Sequence, residues 1–135
     1  MTPNSPDELA QAEAAIRDVV DTFYVRVRQD HELGPVFNRA VENWDAHLDR
    51  ITAFWSSAML RTGRYDGGLM GAHFKHKGEI APEMFDRWLT LWTETTSELL
   101  PEAAADAMRM RAQMIADSLK QALFYRARAW APSDS

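Results

Sequence analysis

Cysteine is absent from the 135-residue chain, which excludes disulfide bonds, thiolate metal sites and thiol nucleophiles. No apolar run approaches the roughly 20 residues that a membrane-spanning helix needs, so we expect no membrane partner. The first ten residues are polar and acidic, unlike a signal peptide, and this favours a cytoplasmic location. No block of basic residues is present and the net charge is -5, which argues against a nucleic-acid partner.

Strand signals are also lacking, because no run alternates apolar and polar residues between turn signals. Apolar residues instead recur at helical spacing, with a short helical segment near 35–41. Four long helices are predicted, at about 6–30, 43–61, 82–99 and 101–128. The expected fold class is therefore all-α. One domain is expected over 1–135, with its core at about 6–128 and a flexible tail at 129–135.

The segment from Arg64 to Lys77, RYDGGLMGAHFKHK, interrupts the helical pattern and holds three of the six glycines and two of the four histidines. Glycine gives the backbone conformational freedom and allows close approach. A histidine that follows such a segment can be held on a short helical turn and point inward. His73 and His76 are three residues apart, so on a helix they would be neighbours able to share a metal.

Most metal and nucleophile chemistries do not fit the sequence. No histidine has a glutamate three residues before it, which a carboxylate di-iron bundle needs, and the H-E-x-x-H zinc motif is missing. Ser56 and Ser57 lie inside a predicted helix, not at a strand-to-helix turn. The glycines at 67, 68 and 71 lack the Lys and Ser or Thr of a phosphate-binding loop.

Haem survives these exclusions, because a macrocycle supplies the other ligands when a single histidine holds the iron. His73 is then the axial ligand. Tyr24, His47 and Trp88 lie on the inner faces of three helices and can donate hydrogen bonds to a diatomic ligand. Each alone is more simply a core residue. The five Trp, six Phe and seven Met fit either a well-filled core or a cavity for a large flat ligand.

Three blocks of residues carry a family resemblance when they are taken in order along the chain. They are Phe23-Tyr24 with Val27, Arg28, Asp30 and Leu33 to Phe37; Trp44 with His47, Ile51 and Phe54-Trp55; and Tyr65-x-Gly67 with His73 and Phe85-x-x-Trp88-Leu89. With these blocks, the chain resembles the group III branch of the truncated haemoglobins over about residues 16 to 125.

The resemblance implies a shortened globin fold, with two helices crossed over two others around one haem b. It implies that His73 is the metal ligand, and that the distal ligand-binding residues are Tyr24, His47, Ile51 and Trp88. The implied cofactor-binding residues are Phe37, Arg50, Phe54, Trp55, Tyr65 and His73. We expect His76 to be a bystander on the surface or near a haem propionate.

The resemblance also implies oxygen binding, with O2, NO, CO or cyanide as iron ligands, and an unidentified reductase. Several donors in a dry pocket favour slow ligand release. This argues against simple oxygen transport and for nitric oxide dioxygenase-like detoxification, peroxide chemistry or ligand sensing. One alternative is a haem redox or peroxidase-like enzyme, which needs a carboxylate near His73. Another is a non-haem helical interaction module.

Overall fold

The computed structural model describes residues 5–63, 73 and 76–126. The described residues form helices and turns without strands, and the all-α prediction is confirmed. The α-helices are α1 (Pro6–Gln29), α2 (Gly34–Ala40), α3 (Trp44–Leu60), α4 (Pro82–Leu99) and α5 (Glu102–Lys120). A 3₁₀ turn at Lys77–Glu79 precedes α4, and a π-helical segment at Gln121–Arg126 follows α5. None of these helices is long and apolar enough to cross a membrane.

Local side chains set where the long helices begin and end. The Ser5 hydroxyl accepts a hydrogen bond of 3.1 Å from the Glu8 N–H at the start of α1. The Asn43 side chain accepts one of 3.1 Å from Ala46 N–H at the start of α3. Helix α3 ends where Arg61 turns left-handed, with φ of 59°. These caps explain why the sequence predicts both boundaries to within about two residues.

The last helix differs from its prediction. The sequence predicts one α-helix to about residue 128, but α5 ends at Lys120 and the chain continues as a π-helical segment. Leu119 and Leu123 are both buried, four residues apart, on either side of this change. A spacing of four keeps both residues on one face in an α-helix or a wider turn, so the apolar pattern does not distinguish the two. Residues 127 and 128 lie outside the described part.

Helix packing places α1 at the centre of the molecule. Helix α1 contacts α2, α3 and α4, and α4 also packs along α5. The buried core therefore runs from Val20 and Phe23 on α1 to Trp55 on α3 and Trp92 on α4. Helix α2 starts very close to the end of α1, since a Cβ on Gly34 would lie 2.7 Å from the Arg28 carbonyl oxygen. Glycine is needed there for close approach.

A partly buried ion pair between Asp30 and Arg87 fixes α4 to the corner that follows α1. Asp30 is 8% exposed, and its carboxylate accepts hydrogen bonds from the N–H groups of Glu32 and Leu33 and from Arg87 Nε at 2.8 Å. Burial acts to raise the pKa of Asp30. The Leu33 N–H, Arg87 and the Glu32 N–H outweigh burial, and together they hold this pKa below its ordinary value.

Replacing Asp30 by asparagine is expected to lower the free energy of unfolding by about 2 kcal/mol, because hydrogen bonds to a charged group are lost. Urea unfolding measures this. The folded-state pKa of Asp30 lies below the ordinary value of 3.8. The carboxylate therefore contributes fully to stability above pH 3.8, and this contribution is lost as the pH falls through the folded-state pKa. Asp106→Asn is the control, because its bond to Arg109 is solvent-exposed. An equal loss in both variants would contradict the prediction.

Candidate functional site

A cavity of about 510 Å³ lies inside the helices. Its walls come from the helices α1 to α5 and from the segment between α3 and α4. This volume is in the range of small-molecule and cofactor sites, about 300–1,000 Å³. Nine of the predicted site residues line it: Tyr24, Phe37, His47, Arg50, Ile51, Phe54, Trp55, His73 and Trp88. The tenth, Tyr65, lies outside the described residues.

Tyr24 and Trp88 meet at the cavity wall. Burial raises the pKa of the Tyr24 hydroxyl well above its ordinary value, and a hydrogen bond from the Trp88 indole only partly opposes this. The hydroxyl therefore stays protonated at neutral pH. Because it accepts the indole N–H, its own proton remains available to a third group. Tyr24 is also almost fully buried, with 5% of its surface exposed, so that third group is protected from bulk water.

His47 lines the same cavity and has an unusual buried polar atom. Its Nε2 is buried and has no hydrogen-bond partner in the described part of the structure. Burial, and then the charge of Arg50, lower the pKa of His47 to about 4, so the ring is neutral at pH 7. An unsatisfied buried polar group costs roughly 1–3 kcal/mol.

Contacts with aromatic rings offset the free-energy cost of burying His47 Nε2 without a hydrogen bond. Its ring meets Tyr24 edge-on, with centroids 5.2 Å apart, and Trp44 edge-on at 5.4 Å. Aromatic contacts of this kind each contribute about 0.5–1.5 kcal/mol beyond burial. The stabilisation by the ring contacts and the cost of the unsatisfied nitrogen are similar in size. The inward position of His47 therefore depends on its aromatic neighbours.

Stacked indoles fix the position of Trp88. Its ring is parallel to that of Trp92, with centroids 6.0 Å apart and 3° between the planes. Trp92 in turn stacks on Trp55 at 4.5 Å and meets Phe23 edge-on at 4.9 Å. Trp92 is fully buried, and its indole N–H donates to the Met108 carbonyl at 3.3 Å. Two cavity-lining indoles are thus supported by one core indole between them.

His73 lies on a helical turn and is partly buried. Its ring stacks on Phe85 of α4, with centroids 6.3 Å apart and 24° between the planes. His76 also lines the cavity. Its Nδ1 lies 3.2 Å from a Glu79 oxygen, and the other Glu79 oxygen accepts a 3.0 Å bond from Arg39 Nε. His76 is therefore engaged at the cavity rim, and its predicted role as a bystander on the surface or near a propionate stays a prediction.

Some lining residues have no role in the sequence-based prediction. They are mainly apolar and include Met84 and Phe85 of α4, Ile80, and Ile115 and Leu119 of α5. Phe85 lies three residues before Trp88, so helical spacing could have placed it on the same wall. The contribution of α5 has no comparable signal, because its apolar stripe is equally typical of a core helix. Among the described residues, no three His, Asp or Glu side chains form a metal-binding group.

Comparison with known proteins identifies the family. No family model matches the sequence. A group 3 truncated haemoglobin of Campylobacter jejuni is 32% identical over 117 residues, which is 82% of this chain and 89% of that protein. The crystal structure of a group III truncated haemoglobin from the same organism matches with a TM-score of 0.79 and 28% identity, over 93% of this chain and 98% of that one. The chain belongs to the group III truncated haemoglobins.

Membership of this family implies a haem-binding globin, and it confirms the truncated globin fold. The cavity residues of this truncated haemoglobin fit the cofactor. The walls are largely apolar, a histidine side chain that could hold the iron lines them, and His47 Nε2 is a buried polar atom without a partner among the described residues. Arg50 lines the same cavity and is exposed, as a partner for a propionate should be.

Proposed function

We propose that this truncated haemoglobin holds haem b through His73 and retains a diatomic ligand with Tyr24, Trp88 and His47. The observation that carries the proposal is one cavity that contains all four side chains. Haem in this position supplies an iron that takes O2, NO, CO or cyanide. Family membership supports such diatomic ligands in general. The assignment of roles to residues rests on the geometry of the cavity.

The apolar residues of the cavity exclude water from the ligand space. Phe37 of α2 and Ile51 and Phe54 of α3 supply this lining. A water-poor cavity strengthens every electrostatic interaction within it. In our proposal the same residues contact the macrocycle, together with Trp55, while Arg50 binds a propionate at the rim.

The polar residues of the cavity act as hydrogen-bond donors. Tyr24 keeps its proton because burial raises its pKa. The Trp88 indole N–H donates to the Tyr24 hydroxyl in the structure, and in our proposal it donates to the ligand when one is bound. Neutral His47 adds a ring nitrogen that has no partner among the residues that the structure describes. Donors that converge on partial negative charge slow its release. We therefore propose chemistry on O2 or NO, such as nitric oxide detoxification, instead of oxygen transport. The reductase and the cytoplasmic location stay predictions.

The alternative of a peroxidase-like enzyme requires a carboxylate paired with His73. Glu79 is the first acidic residue after His73 in the sequence. Both of its carboxylate oxygens are already engaged, one by Arg39 and one by His76. Glu79 is thus bound by Arg39 and His76, and the peroxidase-like enzyme stays the second proposal beside ligand handling. Family membership favours both over a non-haem interaction module.

Replacing Trp88 by phenylalanine tests the proposed function. The variant keeps an aromatic ring against Trp92 and Phe23 but loses the indole N–H. We expect O2 to leave about ten- to a hundredfold faster, because a hydrogen bond to a charged acceptor contributes about 1.5–3 kcal/mol. Stopped-flow absorbance measures the rate. Tyr24→Phe should act in the same direction.

CO serves as an internal control for the Trp88 experiment. It carries less charge than O2 in the same position, so its release should change much less. A similar acceleration for both gases would indicate general loosening of the pocket. An O2 release rate equal to that of the parent protein would contradict the proposed donor role of Trp88.

A further inference from the structure

Trp44 stands directly behind two of the proposed ligand-contacting residues. It begins α3, three residues before His47, so the two side chains lie on one face of the helix. Its ring meets the His47 ring edge-on at 5.4 Å and lies 5.9 Å from the Tyr24 ring at 54°. Trp44 is partly buried and packs against the core cluster. It therefore contacts both residues from the side away from the cavity.

Arg28 covers the outer face of this indole. Its guanidinium carbon lies 4.5 Å from the centre of the Trp44 ring, which is a cation–π contact. Arg28 lies one helical turn after Tyr24 on α1, so the three side chains form a continuous stack across the α1–α3 contact. The order from solvent inward is Arg28, Trp44, and then the pair His47 and Tyr24.

His47 needs such support because its inward position leaves Nε2 without a partner in residues 5–63, 73 and 76–126. The neighbouring residues Ala46 and Arg50 are exposed, so solvent is close to the ring. An outward rotation would give Nε2 hydrogen bonds to water. Within the described part of the chain, the rings of Trp44 and Tyr24 pack against His47 and oppose that rotation.

We propose that Trp44, backed by Arg28, is a positioning residue that holds the His47 ring inside the cavity and so sets how readily a diatomic ligand enters. This inference rests on the proposed function. The orientation of the His47 ring can nevertheless be measured separately from the proposed function. Trp44 touches that ring and contacts the ligand only through it.

The test compares Trp44→Leu with the parent protein in the haem-loaded, CO-bound ferrous form, which is diamagnetic and suits NMR. The first readout is the nuclear Overhauser effect between the ring protons of His47 and Tyr24. The second is the rate of CO association after flash photolysis. We expect the Overhauser effect to vanish and CO entry to accelerate by about tenfold, the value of one aromatic contact.

Three further variants sharpen the result. Trp44→Phe keeps an aromatic ring beside His47 and should largely restore both readouts. Arg28→Gln removes the charge over the indole and should give an intermediate effect. Arg109→Gln removes an exposed arginine of α5 that pairs with Asp106, and it should match the parent protein.

Unchanged readouts in Trp44→Leu would overturn the inference while leaving the proposed function intact. If Trp44→Leu does not fold, Arg28→Gln decides: a weaker Overhauser effect with faster CO entry supports the inference, and parent-like values overturn it. A parent protein that takes up no haem would contradict the proposed function, and this inference with it.

Discussion

Trp92→Ala is expected to lose about 4 kcal/mol of stability, within the range for removing a buried Trp or Phe side chain. Trp92 is fully buried and contacts three aromatic rings, those of Phe23, Trp55 and Trp88. The loss is a large part of the roughly 5–15 kcal/mol that stabilises a domain. Urea unfolding followed by circular dichroism measures it. Haem uptake should also weaken, because two of those rings line the cavity.

Two variants control for the Trp92 experiment. Trp92→Phe keeps most of the volume and should lose much less stability. Met110→Ala removes a large side chain that is 64% exposed, so it should stay within about 0.5 kcal/mol of the parent protein. The account of the core is wrong if Trp92→Ala unfolds at the same urea concentration as the Met110 variant.

His73→Gly is expected to weaken haem retention by more than about 100-fold, since even the loss of an outer partner of a metal ligand costs 10–100-fold. His73 lines the cavity and stacks on Phe85, and the substitution leaves that wall otherwise unchanged. Transfer of haem to an excess of an acceptor protein measures the rate of loss. Added imidazole should restore much of the native absorption spectrum by replacing the missing ligand.

His76→Gly is the matched control for His73, because both histidines line the cavity and come from the same segment. The bond between His76 and Glu79 lies at the rim, so its loss should change haem retention far less. The assignment of the iron ligand fails if His73→Gly keeps a native spectrum, or if His76→Gly loses haem as fast.

Much of this fold could be predicted because short-range chemistry sets the helix boundaries. Ser5, Asn43 and the prolines at 6 and 82 act on residues next to them, and their effects can be read without tertiary structure. Several residues of the cavity wall could also be predicted from the sequence. Tyr24, His47 and Trp88 lie on apolar helical faces, so each had to point inward once its helix formed.

Contacts between distant residues could not be predicted in the same way. Asp30 and Arg87 are 57 residues apart and look like ordinary surface charges in the sequence. The placement of Arg28 over Trp44 depends on how α1 meets α3, which no local pattern encodes. The π-helical segment after Lys120 could not be predicted either, because the spacing of its apolar residues fits an α-helix and a π-helix equally well.

Haem titration of the haem-free protein tests directly whether this chain binds one haem through His73. Haem is added stepwise while the Soret absorption band is recorded, with His73→Gly titrated in parallel. We expect a sharp band that saturates at equimolar haem in the parent protein, and a weak band without a clear end point in the variant. A parent protein that shows no saturating band would contradict haem binding by this chain.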